Sequence, residues 1–156
     1  MELDTPAVHA VIRCGLDHRI VVTEIPESPE ESAALQDIEL GQLLRTIVVR
    51  RAEGDYVFVL VPGGRQIDWP KLRAALGARR LALPDKDEAR EATGYERGAI
   101  TPFGATTSWP VVADATIAGA GMVAIGAGAR GANFHVQAAS LLPVLDALVA
   151  DVSKPD

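Results

Sequence analysis

Residues 93–104, Thr-Gly-Tyr-Glu-Arg-Gly-Ala-Ile-Thr-Pro-Phe-Gly, hold the densest run of special backbone residues in the chain. Within it Gly98 and Pro102 stand in a Gly-x-x-x-Pro spacing, which sets a flexible end against one whose φ is fixed and whose amide proton is missing. A loop of this composition presents bare N–H and C=O groups, and bare amides aimed at a reacting carbonyl can hold a developing oxyanion. No Ser-His-Asp order, zinc-ligand spacing or phosphate-cradling glycine motif accompanies it. The pair Gly126-x-Gly128 lacks the continuation of a dinucleotide site and reads equally well as a plain hairpin turn. A side-chain nucleophile is therefore not implied, and neither a metal nor a cofactor is expected.

Other residues carry a chemical reading beside a structural one. Asp114 is an acid or a partner for nearby amides. His135 follows Asn133-Phe134 on an apparent strand and lines a cavity or packs, whereas His9 and His18 join no constellation. Thr106, Thr107 and Ser108 are hydroxyls at a pocket rim or a simple turn. Trp69 and Trp109 can stack a base, but each precedes a proline, which favours rigid packing. Cys14 has no partner for a disulfide or a zinc cluster and reads as a buried structural thiol.

These residues need elements to position them. Thr5-Pro6 is an N-cap with proline at the first helical position, and Val8, Val11 and Ile12 continue at helical spacing until Gly15. An apolar, β-branched run covers 19–23, and Ser28-Pro29-Glu30-Glu31 has capping-box spacing before a helix over 30–35. Residues 43–50 and 56–61 read as two strands of a hairpin, ended by Pro62-Gly63-Gly64. Asp68 caps the next helix, which carries Pro70 in its first turn and stops at Gly77. A strand is expected over 80–83 and a short helix over 87–92, delivering the chain to the glycine loop. Beyond it 111–113, 122–125 and 133–136 are strand-like, and Leu141, Leu142, Leu145 and Leu148 predict a closing helix over 140–149. Short connections favour an antiparallel or mixed sheet over a doubly wound one.

Composition narrows the class. A chain of 156 residues reads as one domain with an aliphatic core, because aromatics are 4% against 48% hydrophobic residues. No apolar run reaches membrane-spanning length, and Met-Glu-Leu-Asp-Thr-Pro lacks a signal-peptide pattern, so a cytoplasmic protein is expected. A net charge of −6 argues against indiscriminate nucleic-acid binding. It leaves room for one positive face, since Arg45, Arg50, Arg51, Arg65, Lys71, Arg73, Arg79 and Arg80 cluster while 24–39 is acidic.

The segment Thr93-Gly94-Tyr95, Gly98, Pro102-Phe103-Gly104 resembles the pocket loop of the YbaK/prolyl-tRNA-synthetase-associated aminoacyl-tRNA deacylases. The likeness extends to Gln42-Leu43-Leu44-Arg45-Thr46, Asp68-Trp69-Pro70-Lys71-Leu72, Ala75-Leu76-Gly77-Ala78, Asp114 and Gly126-Ala127-Gly128. It implies an α+β fold: a mixed, mostly antiparallel, barrel-like sheet flanked by short helices, with residues 1–152 as one domain and 153–156 as a flexible tail. The implied activity is trans-editing, hydrolysis of the ester of a mischarged small amino acid on tRNA. Arg45, Gly98 and Pro102 would be catalytic; Thr46, Tyr95, Ile100, Thr101, Phe103, Gly126, Gly128 and His135 would bind substrate. At the position of Arg45 the family usually has lysine, and a planar five-donor fork is not a compact ammonium. A catalytically weak aminoacyl- or nucleotide-binding module of the same fold is the alternative, and an esterase or amidase acting on small molecules is a third reading. Implied partners are the 3′ end of an aminoacyl-tRNA and a synthetase or elongation factor, with no membrane and no DNA.

Overall fold

In the computed structural model, which describes residues 3–156, the two apolar runs pair as the expected hairpin. They are β2 (Leu44–Ala52) and β3 (Asp55–Pro62), in register from Leu44 opposite Pro62 to Ala52 opposite Asp55. Side chains alternate across a strand, and both faces of β3 are covered. Phe58 and Leu60 enter one apolar cluster with Leu44, Val48, Phe103, Ile125 and Phe134. Val57, Val59 and Val61 enter a second with Val49, Ile67, Leu72 and Val152. Burial on both sides is why this stretch of sequence is continuously apolar.

Strand β5 (Val111–Asp114) joins β3 in parallel, and β8 (Leu148–Ala150) joins β5 in parallel, giving the order β2-β3-β5-β8. A second sheet, β1-β7-β6, is antiparallel and consists of β1 (Arg19–Val22), β6 (Met122–Gly126) and β7 (Ala132–Gln137). A lone bridge from Leu43 to Ala124 links the two sheets. A third, two-stranded sheet pairs β4 (Arg65–Ile67) with β9 (Ser153–Pro155). The protein is thus α+β with a mixed, mostly antiparallel strand set; no closed barrel forms among the described residues.

The helices start and stop where their caps predict. Thr5 Oγ1 accepts from Val8 N at 3.1 Å ahead of α1 (Pro6–Cys14), and Ser28 caps α2 (Pro29–Leu35). Asp68 caps α3 (Trp69–Leu76) and Asp85 caps α4 (Lys86–Thr93). No helix among the described residues is long and apolar enough to cross a membrane.

Four expectations are corrected. The closing helix ends early: α5 covers Ala138–Val144, Asp146 takes a left-handed φ of 49°, and Leu148 then pairs with β5. The leucine spacing is helical, but strand pairing overrides it. Residues 153–155, read as part of a flexible tail, form β9, with Val152 and Ser153 fully buried. The strand expected over 80–83 reduces to a single bridge between Arg50 and Ala82. Cys14 is exposed, because α1 buries Ala7, Val8 and Val11 and its last residue runs past that packing.

Candidate active site

Four segments converge on a cleft of about 350 Å³. The start of β2 supplies Leu43, Leu44, Arg45 and Thr46; the glycine loop supplies Arg97, Gly98 and Ile100. The β6–β7 hairpin contributes Gly126, Ala129, Gly131, Ala132 and Asn133, and the approach to α2 adds Pro26, Pro29 and Ser32. The walls are largely aliphatic and backbone.

The glycine loop is held at both ends. Gly104 has φ +70°, and a Cβ there would lie 2.4 Å from the backbone of Pro6, so only glycine lets the loop's far end seat on the start of α1. Tyr95 donates its hydroxyl to the Phe103 carbonyl at 2.6 Å, closing the base of the loop. Burial pushes the Tyr95 phenol up to about 12. Between these anchors Ala99 N donates to Glu96 O at 2.9 Å, while the amides of Gly98, Ile100 and Thr101 reach no backbone carbonyl among the described residues.

Three buried polar side-chain atoms lack a partner: Arg45 Nε, Thr46 Oγ1 and Thr101 Oγ1. Two belong to residues that line the cleft, and Thr101 follows Ile100 and packs against Gly126. Buried polar groups are almost always bonded, so three orphans in one neighbourhood call for a ligand. Arg45 is anchored at its other end, because Nη2 donates to the carbonyl of Arg65.

The sequence-expected residues divide. Arg45, Thr46, Gly98, Ile100 and Gly126 line the cleft, with Thr101 directly behind. Tyr95 and Phe103 lie in the core and shape the loop, and Phe103 stacks edge-on against Phe134 with centroids 6.0 Å apart. Gly128 faces α1: an added Cβ would stand 3.0 Å from the Tyr95 ring and 3.1 Å from Ala7. Pro102 is partly buried between Thr101 and Phe103 and does not line the cleft. His135 sits one step back. Its Nε2 is 3.0 Å from Gln36 Oε1, and Gln36 Nε2 donates to Ser32 Oγ at 3.0 Å on the cleft wall. Burial, and then the charge of Arg19, hold the His135 pKa below its ordinary value, so the ring is neutral near pH 7.

Asp114 is structural. Its carboxylate accepts from Val152 N at 3.0 Å, from Thr116 N at 3.1 Å and from the Thr116 hydroxyl. Burial alone would raise its pKa; the hydrogen bonds from Thr116, Val152 and Ser153 outweigh burial and hold it below the ordinary value. Trp109 donates Nε1 to Ala92 O at 2.8 Å and stacks on Tyr56, the packing role its proline neighbour implied.

Sequence reasoning passed over Arg97, Arg130, Ser32 and Asn133. Arg130 Nε would lie 3.4 Å from a Cβ on Gly98, so two arginines flank the exposed turn of the loop. Neither has a carboxylate within 4.0 Å among the described residues, in contrast to Arg50, Arg51 and Lys71. Their signal was positional: each adjoins a glycine of the two turns already singled out.

Comparison with known proteins places this geometry. Residues 24–143 match the family described as the aminoacyl-tRNA editing domain. An Enterococcus faecalis protein named “Putative Cys-tRNA(Pro)/Cys-tRNA(Cys) deacylase EbsC” is 24% identical over 126 residues, 81% of this chain and 77% of that one. The proline–tRNA ligase of Bacillus cytotoxicus is 32% identical over 118 residues, which are 74% of this chain but 20% of the ligase. A solved structure described as a “putative trans-editing enzyme for prolyl tRNA synthetase” superposes with a TM-score of 0.87 at 26% identity, covering 98% of this chain and 99% of the other.

Proposed function

The chain belongs to the aminoacyl-tRNA editing domain family, and from that premise we propose that it hydrolyses, in trans, the ester joining a mischarged small amino acid to the 3′ end of tRNA. The observation that carries this reading is that the whole lining of the cleft, from Pro26 to Asn133, falls inside the family's span. End-to-end similarity to a structure described as a trans-editing enzyme supports the reading in trans.

The chemistry follows from what lines the site. No carboxylate, imidazole or thiol is present there among the described residues, so water is the attacking group. Water adds to the ester carbonyl; the bond to the ribose oxygen breaks, and that oxygen takes up a proton. The unpaired amides of Gly98, Ile100 and Thr101 are the donors for the oxyanion, which a preorganised site stabilises without rearranging. The vicinal ribose hydroxyl, supplied by the substrate, orients the water. Arg45, pinned by Arg65, offers Nε to the sugar or phosphate end, and the hydroxyls of Thr46 and Thr101 bind the aminoacyl group. Pro102 stiffens the loop behind Thr101. Walls of Leu43, Leu44, Ile100 and Ala132 around about 350 Å³ exclude large side chains and accept small ones. Such a second, size-selective site is needed because synthetase pockets discriminate poorly between small side chains. A synthetase that releases such products, or the factor that carries them away, is the protein partner this reading implies.

The test is a panel of tRNAs charged with alanine, serine, threonine or cysteine, with wild type and Arg45→Ala compared side by side. The expected result is one substrate hydrolysed well above background, with at least a ~10-fold loss in the variant, the worth of one charged hydrogen bond. Hydrolysis of none would abandon the enzyme reading in favour of a binding module.

A further inference from the structure

A second groove, of about 550 Å³, collects Arg50, Arg51, Arg73, Arg79 and Arg80. These are five of the chain's 15 lysines and arginines, on a molecule of net charge −6. The fold assembles them. Arg50 and Arg51 end β2, Arg73 lies in the last turn of α3, and the segment after α3 is drawn across β2 by paired bonds between Arg50 and Ala82, 2.8 and 3.1 Å. Arg50 pairs with Glu88 at 3.2 Å and Arg51 with Asp55 at 2.9 Å. Arg73, Arg79 and Arg80 have no carboxylate within 4.0 Å among the described residues. Concentrating like charges is unfavourable on its own, so the groove fits an extended polyanion that neutralises them.

Resting on the deacylase reading, the geometry points to this groove as the docking surface for the phosphate backbone of the substrate tRNA beyond its 3′ end. Continuity with the active site favours RNA over other anions. One strand, β2, walls the cleft at Thr46 and the groove at Arg51, five residues apart, or about 17 Å along the strand. A chain whose terminal sugar sits in the cleft has its paired stem within that distance. Guanidinium forks grip phosphates in pairs, and helical RNA is read through its backbone and shape. The contact is independent of sequence, so one enzyme can receive tRNAs that differ in their bases.

Binding of uncharged tRNA tests this without requiring hydrolysis. The triple variant Arg73→Gln, Arg79→Gln, Arg80→Gln leaves both ion pairs intact; with an unchanged melting temperature, its Kd should rise at least ~10-fold. The slope of log K against log salt should shrink by about 2, as expected for three lost phosphate contacts. Lysine at the same three positions should restore most of both. On charged tRNA the loss should fall on KM, while hydrolysis of a 3′-aminoacyl-adenosine, too short to reach the groove, stays equal. Wild-type affinity and slope in the triple variant would overturn the assignment. So would absence of tRNA binding by wild type, or equal competition by a phosphoserine peptide. Failure of the deacylase reading alone would appear differently, as salt-sensitive tRNA binding with no hydrolysis.

Discussion

Two buried polar clusters lie within this molecule, and they are built on opposite rules. Around Asp114 each acceptor is met: Thr116 and Val152 bond its carboxylate, and Arg65 bonds both the hydroxyl and the carbonyl of Ser153, at 2.7 and 3.3 Å. Around the cleft Arg45 Nε, Thr46 Oγ1 and Thr101 Oγ1 are met by nothing. Leaving a buried donor unbonded costs about 1–3 kcal/mol, so a protein keeps such groups where a ligand completes them. The contrast separates residues that hold the C-terminal segment in place from residues that wait for substrate.

The sharpest way to break the contrast is Asp114→Ala, which strands the Val152 amide and the Thr116 hydroxyl in the interior. Unfolding in urea should show a loss on the order of 3 kcal/mol. The same carboxyl sets an acid limit. Its folded pKa is depressed, so its contribution is complete above the unfolded value of about 4 and is lost as pH falls through the folded value. Asp114→Asn should flatten that acid limb of the stability profile. An unchanged limb would place the acid sensitivity elsewhere.

Removing an orphan should do the reverse. Thr101→Val keeps the shape of a fully buried side chain and deletes a hydroxyl that bonds nothing. Stability should stay within ~0.5 kcal/mol of wild type or rise, since no bond is lost. Deacylation should fall about tenfold, the equivalent of ~1.4 kcal/mol in transition-state binding. A stability loss with normal turnover would mean that the hydroxyl has a structural partner and that the two clusters obey one rule.

How much of this was legible in the sequence depends on the range of the interactions. Helix starts were written locally, in Thr5-Pro6, Ser28 and Asp68, and so was the β2–β3 hairpin. The likeness of the 93–104 loop and of 42–46 identified five lining residues of the cleft. What failed was set by distant pairing. Leu148 is helical by spacing yet bonds β5, and Ser153 lies in a polar tail yet is fully buried by its pairing with β4. Spacing also cannot distinguish the glycine that opens a pocket from the one that admits a neighbour. Gly126 does the first and Gly128, against Ala7 and Tyr95, the second.

Arg45 belongs to both clusters, and the smallest predicted effect comes from asking a lysine to do the same. Its Nη2 is spent on the Arg65 carbonyl, which Ser153 steadies from the other side, while Nε stays free beside the cleft. A guanidinium can serve two directions at once because its donors are spread over a rigid plane; an ammonium concentrates its three at one point. In Arg45→Lys the cation therefore reaches either Arg65 or the substrate. Stability should fall by about 1 kcal/mol, one hydrogen bond, and deacylation by a few-fold, because the charge remains. Restoring Arg65 contact and losing turnover would show the cleft role to be the donor's and not the charge's. A large gain in turnover would instead show that arginine holds this site below its catalytic capacity, and would favour a module that binds aminoacyl ends without hydrolysing them.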